Sequence, residues 1–372
     1  MSSLINFSTK LALLLALLSG AGGCAAGTGT VKSAAIPEGK KPFIVVLPVE
    51  NLSGVAVPLK SIRQSLAEKM REQGVGVLDE KGTDQFLARH RLRHTGSIDR
   101  DTLVALKTET GAAAVLISSM EMSSEAAPPK VAISCRLVST APEAKIIGMT
   151  SAALAGDDAP GLLGMGEIHK PDHLLEKALD PIAVRLAGAF SGREEKGRKW
   201  MRKFRPKTVY HSPSLDMQQQ RTIAIIPFIN KSGRKSAGEI VALHFVEELA
   251  KDNKHIIIEP GVVRQAFLKF RIILEGGISL ANADVLFNDL NADLVLTGEV
   301  QEFQDYQGGM GTPKVDFSLT LLDRKSREVV WTSHSYNEGD DGVFFFDLGR
   351  VNTAGEMTSQ MAAAIVSMIG KN

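Results

Sequence analysis

An internal repeat constrains the fold of this chain more than any other feature of its sequence. Shifted by 179 residues, the segment IVVLPVENLSG at 44–54 matches IAIIPFINKSG at 223–233, with its Pro, Asn, Ser and Gly in register. Further matches follow at the same shift, at Glu80 and Glu259, at Gly82 and Gly261, and at the apolar runs 113–118 and 292–297. A period this long indicates two tandem domains and not a solenoid of short repeats.

The order of patterns within each copy predicts the fold class. Each copy opens with an apolar run, 43–47 or 223–226, of the kind that forms a strand buried on both faces. An amphipathic helix follows; in the first copy its apolar stripe is Ile62, Leu66 and Met70. Two further strands alternate with helical segments, which predicts right-handed crossovers and parallel pairing. We therefore expect an α/β protein made of two tandem layered domains, each with a mixed sheet that begins as parallel β-α-β-α-β.

After the third strand the apolar period changes to two, as in VAISCRL at 131–137 and VDFSLTL at 315–321. This alternation predicts antiparallel strands with one face buried and the other open to solvent. Cys135 lies on the apolar side, so we expect a buried thiol and not a nucleophile. A returning strand and a closing helix, 173–190 or 350–369, complete each copy.

The amino terminus has the pattern of a secretory signal peptide over residues 1–23, with Lys10 ahead of the apolar run Leu11–Leu18. Eight residues at about 1.5 Å each reach about 12 Å as a helix, far short of a hydrocarbon core of roughly 30 Å. Cys24 closes a run of small residues that resembles the lipobox of bacterial lipoproteins, which implies lipid attachment at Cys24. An ordinary cleaved signal with a nearby cysteine is the alternative. No Asp follows Cys24, so we expect an anchor on the periplasmic face of the outer membrane.

Composition divides the mature chain into a tether at 24–41, a first domain at 42–190, a linker at 191–221 and a second domain at 222–372. The linker carries nine Lys and Arg against three Asp and Glu, whereas the second domain carries 14 against 20. The centre of the linker combines cations with aromatic residues, as in interfacial elements that contact anionic surfaces. The candidate contact residues are Lys196, Arg198, Lys199, Trp200, Arg202, Lys203, Phe204 and Arg205. Alternatively, the segment packs against the acidic second domain or is solvated.

The repeated order P-x-x-N-x-S-G, amphipathic helix, ADLVLTG strand and closing hairpin resembles a family of bacterial envelope domains. The family includes the curli secretion lipoprotein (CsgG), the lipoprotein activator of penicillin-binding proteins (LpoB) and the amino-terminal domain of the Tol translocation protein (TolB). The resemblance is stronger in the second copy, whose hairpin residues match the family pattern at Asp323, Ser326, Glu328, Val330 and Trp331. It implies an envelope protein that binds other envelope components.

The P-x-x-N-x-S-G loops are the candidate binding loops, with Asn51, Ser53 and Gly54 in the first copy and Asn230, Ser232 and Gly233 in the second. Asn and Ser side chains in such a loop bond nearby backbone N–H groups, and Gly54 permits a positive φ. The motif is therefore explained by turn structure alone. A binding role is the second interpretation, because the loop follows a parallel strand, where open α/β sheets bind ligands.

The sequence contains no G-x-S-x-G elbow, phosphate-binding loop, H-E-x-x-H or C-x-x-C motif. We therefore expect a protein that is not an enzyme, with no cofactor and no metal. A net charge of +1 without a basic domain argues against nucleic-acid binding. The expected partners are the membrane, through Cys24, and an envelope protein; an oligomer is left open. The expected function is a lipid-anchored binding or scaffolding protein, such as an activator of cell-wall synthesis or a secretion accessory.

Two other functions are alternatives. One is a subunit of a curli-type secretion channel in the outer membrane, which the resemblance allows. The other is an enzyme of envelope polysaccharide, in which acids from the pairs Asp157–Asp158 and Asp340–Asp341 would meet in a cleft.

Overall fold

The structure is a computed structural model that describes residues 42–159, 165–193, 203–251, 253–274, 277–306, 311–343 and 349–370. All of these residues lie within one compact unit that spans Ile36–Asn372. The predicted signal peptide and the tether up to residue 41 lie outside the described residues.

The first copy follows the predicted order of elements. These are β1 (Phe43–Val46), β2 (Glu50–Asn51), α1 (Leu59–Glu72), β3 (Gly76–Val77), α2 (Glu80–Arg89), α3 (Arg100–Thr110), β4 (Ala114–Ser124), β5 (Lys130–Ser139), β6 (Ile146–Ala155) and α4 (Pro171–Phe190). Strand β1 pairs in parallel with β3 and β4, and β4, β5 and β6 form an antiparallel meander. The short β2 extends the parallel pairing along β4.

The second copy repeats this topology after an additional strand, β7 (Thr208–His211). Its elements are β8 (Thr222–Ile225), β9 (Ile229–Asn230), α5 (Ala237–Ala250), β10 (Ile256–Ile257), α6 (Pro260–Phe270), α7 (Leu280–Asp289), β11 (Leu294–Gln304), β12 (Lys314–Asp323), β13 (Val329–Glu338) and α8 (Ala354–Ile369). The strand order β10-β8-β11-β12-β13 reproduces the order β3-β1-β4-β5-β6. The fold class predicted from the sequence is confirmed.

The repeat extends to irregularities of the sheets. The register of β4 against β5 skips one residue at Glu121, and that of β11 against β12 skips one at Gln301. A bulge leaves the extra residue outside the ladder and re-aims its side chain. Equivalent bulges therefore place Glu121 and Gln301 at corresponding points of the two sheets.

Local sequence signals determine the helices. The apolar stripe of α1, Ile62, Leu66 and Met70, is fully buried on the first sheet, and each side chain contributes about 1.5–3 kcal/mol by burial. Helices α2 and α3 begin after Asp79 and Asp99, whose carboxylates accept the N–H groups of the third helical residue at 2.9 Å and 2.8 Å. Such caps contribute about 1 kcal/mol each.

The first copy differs from the expectation of half-buried antiparallel strands. Along β5, the alternating residues Val131, Ile133, Cys135 and Leu137 are buried, as predicted, in one core cluster with residues of α1 and α4. The alternate residues of β5 are also buried, with exposures of 1% at Ala132, 3% at Ser134 and 1% at Arg136. The reason is that this second face of the sheet lies against the second copy.

Helix α5 carries much of this packing between the copies. It contacts its own sheet at β11, its neighbour α8 and the first copy's β6. A Cβ on Gly355 of α8 would lie 3.2 Å from the Cβ of Ala153 and 3.3 Å from that of Ala132. Small residues on both sides therefore allow α8 to approach the first sheet closely. The two copies share one core within this compact unit, and one face of the first sheet is the contact surface between them.

The predicted linker contains structure that the sequence analysis missed. Strand β7 pairs antiparallel with β13 and extends the second sheet by one strand. Phe204, Leu215 and Met217 are buried with the second copy. The described part of the segment, residues 203–221, therefore packs with the second copy; the domain boundaries themselves remain a prediction.

In the described parts of the chain, no helix combines the length and the apolar character needed to cross a membrane.

Candidate functional site

The first candidate loop is held by its own side chains. Asn51 Oδ1 accepts hydrogen bonds from the backbone N–H and the hydroxyl of Ser53, at 3.0 Å and 2.6 Å. Asn51 Nδ2 donates to the carbonyl of Val55 at 2.7 Å. Gly54 has a φ of 77°, which confirms the expected positive φ. These bonds close the turn, as the structural interpretation of the motif requires.

The second loop repeats the same bonds at the equivalent residues. Asn230 Oδ1 accepts from the N–H and hydroxyl of Ser232 at 3.0 Å and 2.6 Å, and Asn230 Nδ2 donates to the carbonyl of Arg234 at 2.7 Å. Gly233 does not share the positive φ of its counterpart. Asn51 and Asn230 are both exposed, and their role in binding remains a prediction.

Arg234 brings the two loops together. Its Nη1 donates to the carbonyl of Leu52 at 3.0 Å, and its Nη2 donates to the carbonyl of the bulge residue Glu121. The side chain of one motif loop thus bonds the backbone of the other. The two motif loops therefore contribute together to the junction between the two copies.

A group of buried charges lies in this junction. Glu121, with 2% exposure, points to His244 of α5, and the nearest carboxylate oxygen lies 3.3 Å from Nε2. Burial opposes the charged imidazolium, but the negative charges of Glu121 and of Glu247 outweigh it and raise the pKa of His244 above its ordinary 6.5. The pair is out of hydrogen-bonding alignment, so the attraction is mainly electrostatic.

Glu247 extends the group toward solvent. Its carboxylate accepts a hydrogen bond from the Ser151 hydroxyl of β6 at 2.6 Å and lies 3.3 Å from Nζ of Lys251. Burial alone would raise the pKa of Glu247, but the cations Lys251 and His244 lower it below its ordinary value. Glu247 is therefore a charged acceptor that joins α5 to the first sheet.

A second buried ion pair joins β5 to the start of α6. Arg136 donates to both carboxylate oxygens of Glu259, from Nε at 2.9 Å and from Nη2 at 2.7 Å. Arg136 Nη2 also donates to the carbonyl of Gly96 at 2.6 Å. The side chains are 2% and 0% exposed. Next to this pair, a Cβ on Gly261 would lie 2.2 Å from the carbonyl oxygen of Ile98, so only glycine fits this contact.

Only part of the basic segment is described. Lys196, Arg198, Lys199, Trp200 and Arg202, like Cys24, lie outside the described residues. The segment's described aromatic residue corrects the expectation of a surface contact: Phe204 is fully buried in the core, so its ring is not available to a membrane. Lys203 donates to the carbonyl of Gly349 at 3.0 Å, while Arg205 is exposed. For Lys203 and Phe204, packing against the second copy is the interpretation that agrees with the structure.

One acid of each pair in the enzyme alternative caps a turn, at equivalent points of the two copies. Asp158 accepts from the N–H of Ala155 at 2.7 Å after β6, and Asp341 accepts from the N–H of Glu338 at 3.1 Å after β13. The second acid of each pair is thus explained by turn structure in both copies. In the described residues no three His, Cys, Asp or Glu side chains are grouped to hold a metal ion.

Sequence reasoning missed the junction residues Glu121, Arg136, His244 and Glu259. Arg136 alternates with apolar residues along β5, and an isolated charge at such a position indicates a solvent-facing side chain. One signal was present: Glu259 and Gly261 are aligned with Glu80 and Gly82 of the first copy. That alignment marks a repeated helix start, but it does not distinguish the fully buried Glu259 from the half-buried Glu80.

Comparisons with known proteins gave similarity to solved structures only. No protein-family model matches the chain, and no curated protein sequence matches it. The chain is similar to the PelC dodecamer from Paraburkholderia phytofirmans, at 17% identity and a TM-score of 0.31. The similarity covers 44% of this chain and 95% of the PelC chain.

Two further solved structures, a lipoprotein and a C-terminal domain, are similar to parts of this chain. The lipoprotein GNA1162 from Neisseria meningitidis matches over 38% of this chain and 97% of its own, at 18% identity and a TM-score of 0.30. The C-terminal domain of LpoB from Escherichia coli matches over 32% and 82%, at 12% identity and a TM-score of 0.24. The similarity to these proteins is weak in both sequence and structure.

Proposed function

We propose that this protein is a non-enzymatic lipoprotein, anchored through Cys24 to the periplasmic face of the outer membrane, that binds envelope proteins through the open face of its second sheet. One observation carries the proposal: the corresponding face of the first sheet is already a protein-binding surface, because it packs against α5 and α8. The repeated fold therefore has two equivalent sheet faces, and the face of the first sheet is covered by α5 and α8 of the second copy.

The open face can be located by equivalence. Strands β5 and β12 have ten residues each and begin at Lys130 and Lys314, so Arg136 corresponds to Thr320. Among the described residues, alternate side chains of β12 and β13 on this face are half-buried or exposed, including Asp316, Ser318, Thr320, Thr332 and His334.

The chemistry of this face differs from that of its counterpart. His334 Nε2 lies 2.7 Å from a carboxylate oxygen of Asp316, and Lys314 lies 2.7 Å from Glu338, which also accepts the hydroxyl of Tyr336 at 2.7 Å. Polar, hydrogen-bonding faces of this kind suit partners that bind and release, because desolvation of the charges offsets much of the attraction. We therefore propose an exchangeable partner.

The anchor has a direct test. Mass spectrometry of the amino-terminal peptide should find diacylglycerol on Cys24, and Cys24→Ala should release the chain from the membrane fraction. An unmodified Cys24 in membrane-bound protein would contradict the anchor.

The binding face is tested by site-specific photocrosslinking in cells. A photoreactive residue at Thr320 should give a crosslinked protein adduct, whereas one at Lys60, a highly exposed side chain on α1 of the first copy, should give none. Charge reversal by Asp316→Lys should abolish the Thr320 adduct. Equal adducts at both positions, or an adduct that survives the reversal, would show that the face is not the binding surface. No observation in the described residues favours the channel or the polysaccharide enzyme over this proposal.

A further inference from the structure

A cavity of about 300 Å³ lies where the first copy's segment 91–99 meets α6 of the second copy. Four basic side chains line it: Arg91, Arg93 and His94 from the segment, and Arg264 from α6. Because the basic residues come from both copies, the cavity is complete only when the copies are joined.

The three arginines of this cavity have no carboxylate partner among the described residues. The histidine has one nearby, since Nδ1 of His94 lies 3.5 Å from Glu50. The acid in the cavity lining, Asp99, is engaged as the cap of α3, where it accepts from the N–H and the hydroxyl of Thr102 at 2.8 Å and 3.0 Å. All four basic residues are exposed. Like charges that line one cavity without counter-charges repel one another, and a bound anion relieves that repulsion.

About half of the remaining lining is apolar. Leu47 and Leu87 are buried against the core, and Leu268, one turn after Arg264 on α6, is 66% exposed at the side of the cavity. An inorganic anion would leave the exposed Leu268 without an apolar contact. A ligand that joins an anionic group to an apolar group would satisfy both parts of the lining.

The walls of the cavity are fixed by the junction. The hydrogen bond from Arg136 to the carbonyl of Gly96 holds the segment that carries Arg91, Arg93 and His94. The close contact of Gly261 with the backbone of Ile98 sets the distance between this segment and α6. Basic groups on a fixed frame lose less freedom when they bind an anion, which favours affinity.

We propose that this cavity binds a molecule in which a phosphate group is attached to an apolar group. Guanidinium groups match phosphate oxygens with paired N–H donors, and several of them suit a dianion better than a single carboxylate. The inference is independent of the anchor at Cys24 and of the open face of the second sheet.

Calorimetric titration of the full chain, held in nanodiscs of zwitterionic lipid, tests the proposal with three probes. Phenyl phosphate should bind, inorganic phosphate should bind at least about tenfold more weakly because it has no apolar group, and phenol should show no binding. Arg264→Gln should weaken phenyl phosphate binding about tenfold, which corresponds to about 1.4 kcal/mol, and Arg264→Lys should have a smaller effect. Arg71→Gln is the matched control, because Arg71 lines a separate depression with Glu68, Glu72 and Glu80.

The source of the phosphate is tested by competition. If vesicles that contain phosphatidic acid displace phenyl phosphate and Arg264→Gln abolishes the displacement, the site takes a lipid headgroup. If they do not displace it while the arginine dependence remains, the site takes a soluble phosphate compound. The proposal is overturned if phenyl phosphate does not bind to the parent chain, or if Arg264→Gln leaves its affinity unchanged in a variant that melts at the parent temperature.

Discussion

The buried pair Arg136–Glu259 gives the sharpest quantitative test of how the two copies are joined. Arg136→Met removes three hydrogen bonds to the carboxylate of Glu259 and one to the carbonyl of Gly96. The substitution leaves the carboxylate of Glu259 fully buried, and within the described parts of the chain its remaining hydrogen bond is from the N–H of Gly261 at 3.4 Å. Removing one partner of such a pair costs about 3–5 kcal/mol, because the remaining charge is uncompensated.

Glu259→Gln should cost a similar amount for the opposite reason, since it leaves a buried guanidinium without its anion. The glutamine still offers an oxygen to cap α6, so the loss is not one of helix capping. The double variant should be more stable than the sum of the single effects implies, with a coupling of roughly 2–3 kcal/mol. That coupling is the signature of a direct interaction.

Urea unfolding, followed by circular dichroism and by the fluorescence of the buried Trp331, measures these changes. Arg89→Gln is the control, because Arg89 pairs with Glu109 at the surface and its side chain is 62% exposed. An exposed pair contributes at most about 1 kcal/mol. The reasoning is refuted if the single variants at the buried pair lose no more stability than the control, or if the double variant equals their sum.

Three further predictions follow from the junction and the core. Because the pKa of His244 is raised, its contribution to stability is fully present below pH 6.5 and is lost as pH rises through the folded-state pKa. The melting temperature should therefore fall as pH rises across that window, and His244→Gln should make the fall smaller. A variant with the same dependence of melting temperature on pH as the parent would contradict the prediction. Gly261→Ala should destabilise by about 1–3 kcal/mol through its clash with the backbone of Ile98, while Gly233→Ala, with open space around it, should change the free energy of unfolding by less than about 0.5 kcal/mol. Phe204→Ala should cost about 3–5 kcal/mol in the same urea assay, and a smaller loss than about 1 kcal/mol would mean that the ring is not part of the core.

Local patterns were enough to predict most of the fold. The helix stripe of Ile62, Leu66 and Met70 and the period-two run that includes Cys135 report directly which side of an element is apolar. They also determine the order of elements, because strands that alternate with helices have few topologies open to them. The short strands β2 and β9, at two residues each, carry too little pattern to be predicted.

The junction depends on information that a single strand does not contain. Small and polar residues such as Ala132 and Ser134 have the pattern of a solvent-facing row, and the same pattern arises where a sheet receives closely packed helices. Strand β7 was missed for a related reason: all four of its side chains are exposed, so no apolar period marks it. At the candidate site, the turn bonds of Asn51 and Asn230 follow from residue type, but the bridge made by Arg234 requires knowledge of how the copies meet.

The unequal use of one sheet face has an evolutionary consequence. Because the second copy's helices pack on the first sheet, only small side chains fit at positions such as Ala132 and Ala153. The equivalent positions on the open face of the second sheet, Asp316 and Tyr336, have no such limit. Substitutions will therefore accumulate differently at equivalent positions, and the halves will diverge in sequence while their topology stays the same. Either half expressed alone would expose a surface shaped for its missing neighbour, so a gene that lost one copy would not simply return to the ancestral protein.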